Sequence, residues 1–439
     1  MEGTMITAVK RLRLEFEDWL RYHPTVRHSL CRYSLLRGRQ PDPADTQAVA
    51  RNIVHLCSVL RLAEDATLAQ QINALIVEQV RRLDPGRIDW REFVADFDDP
   101  RVNKSVILKP YVSAREKGVL FIAFEEKWIK LLKPANYREL GERYTVVLSP
   151  SCSPPHVLST YAFPAIFPGP VFTLISNRKD LDYFPQMSPN LIAVPLFASS
   201  WVNPDRFEPV PRKQRDYALL MVANFAKVKR HQAFFGALRE MPRDLRILLI
   251  GQNQDGRTAD TIRDLARWYG VADRFTLLSN QTYREIPKAY CNARASVVLS
   301  KREGSCVAIA ESLFADTPAA ILQEAGIGSR VFINDQTGRF LDGNHLARDL
   351  TDFVQNADRF QPRQWAEQNI TCRHSSQILN DLLRQKALDL GQDWTQDIAP
   401  MQWAPDPGYL RTEDRQCLEV ERQDIQQRFG LDIGPPPVQ

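Results

Sequence analysis

No stretch of this 439-residue chain stays apolar for the roughly 18–20 residues that crossing a bilayer requires, which argues against a membrane-spanning protein. The opening residues, MEGTMITAVKRLRLEFEDWL, place charges where a secretory signal needs an apolar centre. Cysteine is scarce: the seven (31, 57, 152, 291, 306, 372 and 417) are odd in number, scattered and without CxxC spacing. That pattern excludes a disulfide framework or a zinc ribbon and suits reduced thiols in a cytoplasm. The net charge of +4 is too small to support nucleic-acid binding. Walker loop, GxGxxG, Ser/His/Asp set, metal-ligand cluster, internal repeat and long low-complexity tract are all missing. What remains is a soluble globular composition, 44% hydrophobic and 25% charged, in a chain long enough for two α/β domains.

The most informative segment is Ser300–Pro318, SKREGSCVAIAESLFADTP. A short apolar run (Ala295, Val297, Val298, Leu299) reads as a buried parallel strand before it. After Gly304 come Val307, Ile309, Ala310, Leu313 and Phe314 at helical spacing. Strand, glycine turn and helix start bring free backbone N–H groups and the helix dipole to one point, which suits an anion. Glu303 precedes the helix and Glu311 lies along it; eight residues of helical rise would separate them by about 12 Å, the span from a sugar across a diphosphate to a ribose. Two Glu at this spacing are by themselves a common solvated face. The strand before, the glycine between and Thr317-Pro318 after set this pair apart.

Glu303-x7-Glu311 with Gly304 and Thr317-Pro318 resembles the retaining glycosyltransferases of family four. The resemblance implies a GT-B fold: α/β, two Rossmann-like domains facing a cleft, here with an extra N-terminal helical region. It implies that Glu303 contacts the donor sugar and Glu311 the ribose hydroxyls. The amides of Gly304, Ser305, Cys306 and Val307 would hold the diphosphate. The family usually has glycine and an aromatic where this chain has Ser305 and Cys306, a tolerable change for contacts made through backbone. The loop Ala223–Arg230 resembles the family's second diphosphate loop. Its lysine falls on Lys229, whereas its usual arginine position is Asn224, a neutral residue, unless Lys227 or Arg230 substitutes. Gly251 and Asn253 after one strand and Ser279 after the next fall where the family surrounds the nucleobase. Gly326-Ile327-Gly328 and Thr337-Gly338 resemble its downstream glycines. The family's first-domain glycine loop has no counterpart at Lys109-Pro110-Tyr111 or Glu125-Glu126-Lys127. His156 is the best-placed candidate for a first-domain histidine, while His231 and His374 read as helix-surface residues.

The chain divides by pattern. Residues 1–104 read as helical, with Ala48–Leu60 and Ala66–Arg82 at helical spacing. Residues 105–215 form a first, acceptor-side Rossmann-like domain with strands Ser105–Leu108, Gly118–Phe124, Tyr144–Leu148, Val171–Ser176 and Leu191–Leu196. Residues 216–390 form the nucleotide-sugar-binding domain, with strands near 217–223, 245–251, 274–278, 295–300 and 319–322 alternating with helices. Residues 391–439 carry a helix at Thr412–Phe429, the candidate for the crossover back to the first domain. Eight basic residues between Lys10 and Arg39, interleaved with Leu12, Leu14, Phe16, Trp19 and Leu20, offer peripheral contact with an inner membrane face or, more simply, a packed helix with a solvated side.

The expectation is a cytoplasmic retaining glycosyltransferase that moves a hexose from a nucleotide-diphosphate sugar to an unidentified acceptor hydroxyl. Glu303 and Lys229 form its catalytic centre, without metal or cofactor. The rivals are a catalytically silent GT-B protein that binds a nucleotide sugar, and a nucleotide-sugar epimerase.

Overall fold

The computed structural model describes residues 2–38, 41–154 and 157–434, with side chains from Thr7 onward. Two compact units emerge: Pro24–Trp201 with the chain from Cys372, and the chain up to His23 with Val202–Thr371.

The N-terminal residues do not form one helical region. Helix α1 (Glu2–Tyr22) belongs to the unit built from Val202–Thr371, whereas α2 (Pro24–Arg37), α3 (Thr46–Leu60) and α4 (Ala66–Val80) belong to the other. Asp45 and Asp65 cap α3 and α4 by accepting from the amides of Ala48 and Leu68. After a two-residue strand β1 (Arg101–Val102), the first sheet follows: β2 (Ser105–Lys109), β3 (Gly118–Ala123), α5 (Glu125–Trp128), α6 (Tyr137–Arg143), β4 (Tyr144–Ser149), α7 (Leu158–Ile166), β5 (Val171–Leu174), α8 (Asp180–Met187) and β6 (Leu191–Val194). Every residue of β2 and β3 is buried, as covering on both faces demands. Helices α7 and α8 went unread in the sequence because Pro164 and Pro185 lie inside them, where proline ordinarily signals a break.

The strand order is β2-β3-β4-β5-β6, with β2 antiparallel to β3 and the rest parallel. The antiparallel β2 is the one departure from the parallel sheet expected here, and consecutive strands advance in one direction throughout. Right-handed crossovers therefore carry the connecting helices to one face. Tyr161 on α7 donates to Asn73 of α4 at 3.0 Å, so α3 and α4 form a further layer outside α7.

The second unit holds β7 (Leu219–Val222), α9 (His231–Leu238), β8 (Ile247–Gly251), α10 (Ala259–Tyr269), β9 (Thr276–Ser279), α11 (Glu285–Cys291), β10 (Ser296–Val298), α12 (Val307–Phe314), β11 (Ala319–Leu322), β12 (Gly338–Leu341), α13 (Leu346–Gln355) and α14 (Pro362–Asn369). Its six parallel strands run β12-β11-β10-β7-β8-β9. The strand β12 was hidden in the sequence behind Thr337-Gly338, which reads as a turn. Three strands advance one way from β7 and three the other way from β10. The connections after these two neighbours therefore diverge and open a crevice at their carboxyl ends.

Helix α15 (Cys372–Asp389) already belongs to the first unit, where the Ser375 hydroxyl donates to Ser200 O at 2.6 Å. The chain thus returns about one long helix earlier than the expected boundary at 390, and leaves at 201 instead of 215. Hairpin strands β13 (Met401–Trp403) and β14 (Pro407–Tyr409) follow, then α16 (Thr412–Cys417), α17 (Glu419–Phe429) and β15 (Asp432–Ile433), which pairs with β1. Trp201 and Trp403 meet Phe121 of β3 edge-on at 6.2 and 6.4 Å and cover the first sheet there.

Candidate functional site

In the second unit, the loops after β7 and β10 carry the residues singled out by the sequence. Lys229 ends the first loop and Glu303 lies in the second; Lys229 Nζ donates to Glu303 Oε1 at 2.6 Å. Their side chains are 19% and 12% exposed, so the pair sits in the crevice wall. Burial opposes the Lys229 ammonium, but the Glu303 carboxylate more than offsets this and its pKa is raised. Lys229 therefore stays cationic across the physiological range. Removing either partner would strand a half-buried charge, a loss of about 3–5 kcal/mol for a fully buried pair and less here.

The second loop is held by its neighbour. Glu303 N donates to Gly326 O at 3.2 Å, Gly326 N to Lys301 O at 2.7 Å and Gly328 N to Gly304 O at 2.7 Å. The downstream glycines thus brace the Glu303–Gly304 backbone. Cys306 takes a left-handed conformation (φ 51°) as N-cap of α12, and no side chain caps that helix. Ser305 is buried, and burial pushes the Cys306 thiol up, away from nucleophilic thiolate. Glu303 lies four residues before the first turn of α12, so helical rise does not measure its separation from Glu311.

Glu311, on α12, is 5% exposed and accepts from the Tyr283 hydroxyl at 2.9 Å. Burial raises its pKa against the hydrogen bond from Tyr283 and the nearby Arg206 charge. The Arg206 guanidinium lies 3.8 Å from the Tyr283 ring centre and donates to Tyr283 O at 2.9 Å, while its buried Nη1 has no partner among the described residues. Neither Arg206 nor Tyr283 was among the site residues singled out by the sequence. The position of Tyr283 in the loop after β9, at the ligand side of the sheet, was the available signal.

The remaining candidates play more local parts. Asn224 Oδ1 accepts from Ala226 N at 3.3 Å, closing its own turn. Lys227 and Arg230, the substitutes considered for the missing arginine, both face acids of α1. Lys227 lies 3.8 Å from Glu17, and Arg230 donates to Asp18 through Nε and Nη2 at 3.1 and 2.8 Å. A Cβ at Gly251 would fall 2.4 Å from Ala223 O and 2.3 Å from Phe225 Cε1, so the glycine is explained by packing of the β7 loop on β8. Asn253 N donates to Oδ1 of Asn280 at 3.2 Å, beyond Ser279, the last residue of β9. His231 was expected on a helix surface. It opens α9 fully buried against Phe225, with both ring nitrogens unpartnered among the described residues and its pKa pushed down to about 3. The neutral ring needs no proton partner there. His374 is exposed. His156 lies outside the described residues. Among the described residues no helix is long and apolar enough to cross a membrane.

Residues 203–370 match the family described as "Glycosyl transferases group 1", and the α/β architecture is that of the GT-B fold. Among solved structures, HepE of Anabaena in complex with UDP and glucose is 11% identical over 79% of this chain and 98% of that one, with a TM-score of 0.50. Sucrose-phosphate synthase of Thermosynechococcus elongatus is 16% identical over 62% of this chain and 74% of that one, at 0.49. The pneumococcal O-GlcNAc transferase GtfA, in complex with UDP and GlcNAc, is 13% identical over 62% of this chain, at 0.45. The chain spans 57% of GtfA. Such identities speak to fold alone. No curated protein sequence matches the chain.

Proposed function

We propose that the chain transfers a hexose, with retention of anomeric configuration, from a nucleotide-diphosphate sugar to an acceptor hydroxyl. The observation that carries this is the Lys229–Glu303 pair at the strand reversal between β7 and β10, where an open sheet binds its ligand. In this reading the α12 amides from Gly304 to Val307 and the Lys229 ammonium take the diphosphate. Glu303, released from Lys229 by the incoming phosphate, turns to the sugar hydroxyls. Glu311 takes the ribose, its raised pKa suiting a carboxyl that shares hydrogen bonds in a dry site. Lysine and helix terminus supply the positive charge that a divalent ion supplies elsewhere, and electrostatic stabilisation of the leaving diphosphate would dominate the rate enhancement. This reading assigns no side chain the part of a nucleophile, so the leaving phosphate itself would deprotonate the acceptor on the same face. The UDP in the HepE crystals makes uridine sugars the first donors to try. Seven free cysteines suit a reducing cytoplasm.

A silent nucleotide-sugar-binding role is favoured by one observation, the neutral and self-satisfied Asn224. Incubation with UDP-, GDP-, ADP- and TDP-sugars, followed by chromatography and NMR of the anomeric proton, separates the readings. Nucleotide release or transfer that vanishes in Glu303→Ala is the expected result. Tight nucleotide binding without turnover for any donor would replace the enzymatic reading with the silent one.

Contact with a membrane face belongs to this proposal in altered form. Helix α1 balances Lys10, Arg11, Arg13 and Arg21 with Glu2, Glu15, Glu17 and Asp18, and Arg27 on α2 is buried against Glu64. The contact would therefore rest on the exposed stripe Val9, Leu12, Phe16 and Trp19 rather than on charge.

A further inference from the structure

Helix α1 docks on its unit by its polar side. Lys10 lies over the Trp268 ring at 4.9 Å, Glu15 accepts from the Tyr269 hydroxyl at 3.3 Å, and Asp18 binds Arg230 and Gln232. Polar docking leaves the seam incompletely filled, and a cavity of about 280 Å³ opens between α1, α10 and the turn after Lys227. Leu14, Leu265 and Trp268 give it apolar walls, and Arg21, Lys227 and Arg257 bring three cations to it.

The acids on the same wall are already engaged. Asp18 accepts from Arg230 and Gln232, Glu17 accepts from Arg13 at 2.9 Å, and Asp264 accepts from Arg267. Arg257 differs: among the described residues its guanidinium has no hydrogen bond or ion pair, and burial lowers its pKa with only Asp255 in opposition. A partly desolvated guanidinium beside apolar walls is short of a counter-charge.

We propose that this cavity is a second binding site, separate from the donor crevice, for a small phosphate or carboxylate anion carrying a ring or apolar body. The anion pairs with Arg257 in bidentate fashion while its body rests on Trp268 and Leu265. The volume suits a ligand the size of a sugar monophosphate or an aryl phosphate. Because Lys227 and Gln232 flank Lys229 in sequence, an occupant held by Lys227 bears on the loop that carries the donor-site lysine. Binding here is then coupled to donor affinity in both directions.

The test is calorimetric titration of the full chain with inorganic phosphate, benzoate and phenyl phosphate. Phenyl phosphate should bind saturably and at least about 5-fold more tightly than inorganic phosphate, because only it has a body for the apolar walls. Benzoate binding as well would assign any oxyanion head; its failure would assign phosphate. Arg257→Gln should weaken phenyl phosphate about 10-fold or more, with Arg257→Lys between, while Glu303→Ala retains the binding. Should Arg257→Gln fail to fold by circular dichroism, Trp268→Ala takes its place with the same expected loss. Absence of saturation by any probe, binding untouched in these variants, or binding lost in Glu303→Ala would overturn the proposal. UDP titration of the same variants reports separately on the donor crevice.

Discussion

The two sheets invite comparison because they share parallel strands, buried faces and right-handed crossovers yet differ in strand order. The five-stranded sheet advances in one direction; the six-stranded sheet reverses between β7 and β10. Both gather carboxylates at the carboxyl ends of their strands. In the first, Glu125 accepts from the Ser151 amide at 2.8 Å and its hydroxyl at 3.1 Å, and Asp180 accepts from the amides of Ser176 and Asn177 at 2.8 and 2.7 Å. Both are sealed, 2% and 1% exposed, and tie loops to one another. In the second, Glu303 meets a lysine in a crevice wall. Where no reversal parts the loops, an acid closes the structure; where one does, an acid stands part-exposed in the crevice wall, paired with a lysine.

The sharpest way to break this contrast is to neutralise one acid in each sheet. Glu303→Ala should lower kcat for donor turnover by about 10³-fold, the scale of losing a group that stabilises transition-state charge, while Glu125→Gln leaves kcat within 2-fold. Equal losses, measured by nucleotide release, would dissolve the distinction.

Next in size is a pH effect confined to the first sheet. Burial raises the Glu125 carboxyl to about 7 and the Asp180 carboxyl to about 6. Between the unfolded values and these, the folded state holds more protons than the unfolded one. Stability is therefore fully present at acid pH and falls as pH rises through pH 4–7, by up to about 3 kcal/mol for Glu125. Glu125→Gln should flatten that fall in urea titrations at pH 5 and pH 8; an unchanged slope would clear Glu125 of the role.

Smaller effects sharpen the second sheet. Tyr283→Phe removes one hydrogen bond to Glu311 and should raise the donor KM about 5–10-fold with kcat little changed. Asn224→Arg adds a cation to the loop that carries Lys229 and should tighten UDP binding about 3–10-fold in calorimetry. No gain would show that the site needs no second cation there.

Much of the second sheet was legible in the sequence because short apolar strands alternate with helical spacing and the ligand loops follow strand ends. Glu303 and Glu311 were singled out that way and Lys229 through the family resemblance of its loop, and the structure brings Lys229 to Glu303. Tyr283 and Asp18 were not, since a hydroxyl brought to a carboxylate across 28 positions and a salt bridge across 212 leave no local period. In the first sheet the strands themselves were readable, because β-branched runs mark them. Their order was not, for neighbours along a sheet are chosen by crossover direction, which spacing does not record. The docking of α1 was misread for a related reason. Its stripe Val9, Leu12, Phe16 and Trp19 predicts burial by period, yet these are 50–60% exposed and the charged side makes the contacts.

That docking has a consequence during synthesis. Helix α1 is made before the α10 surface it rests on, which follows roughly 240 residues later, a wait of about 12–50 s at ordinary elongation rates. Throughout that interval a bare helix with an aromatic stripe is open to chaperones, while the segment from Pro24 to Trp201 is completed between the two parts it must join.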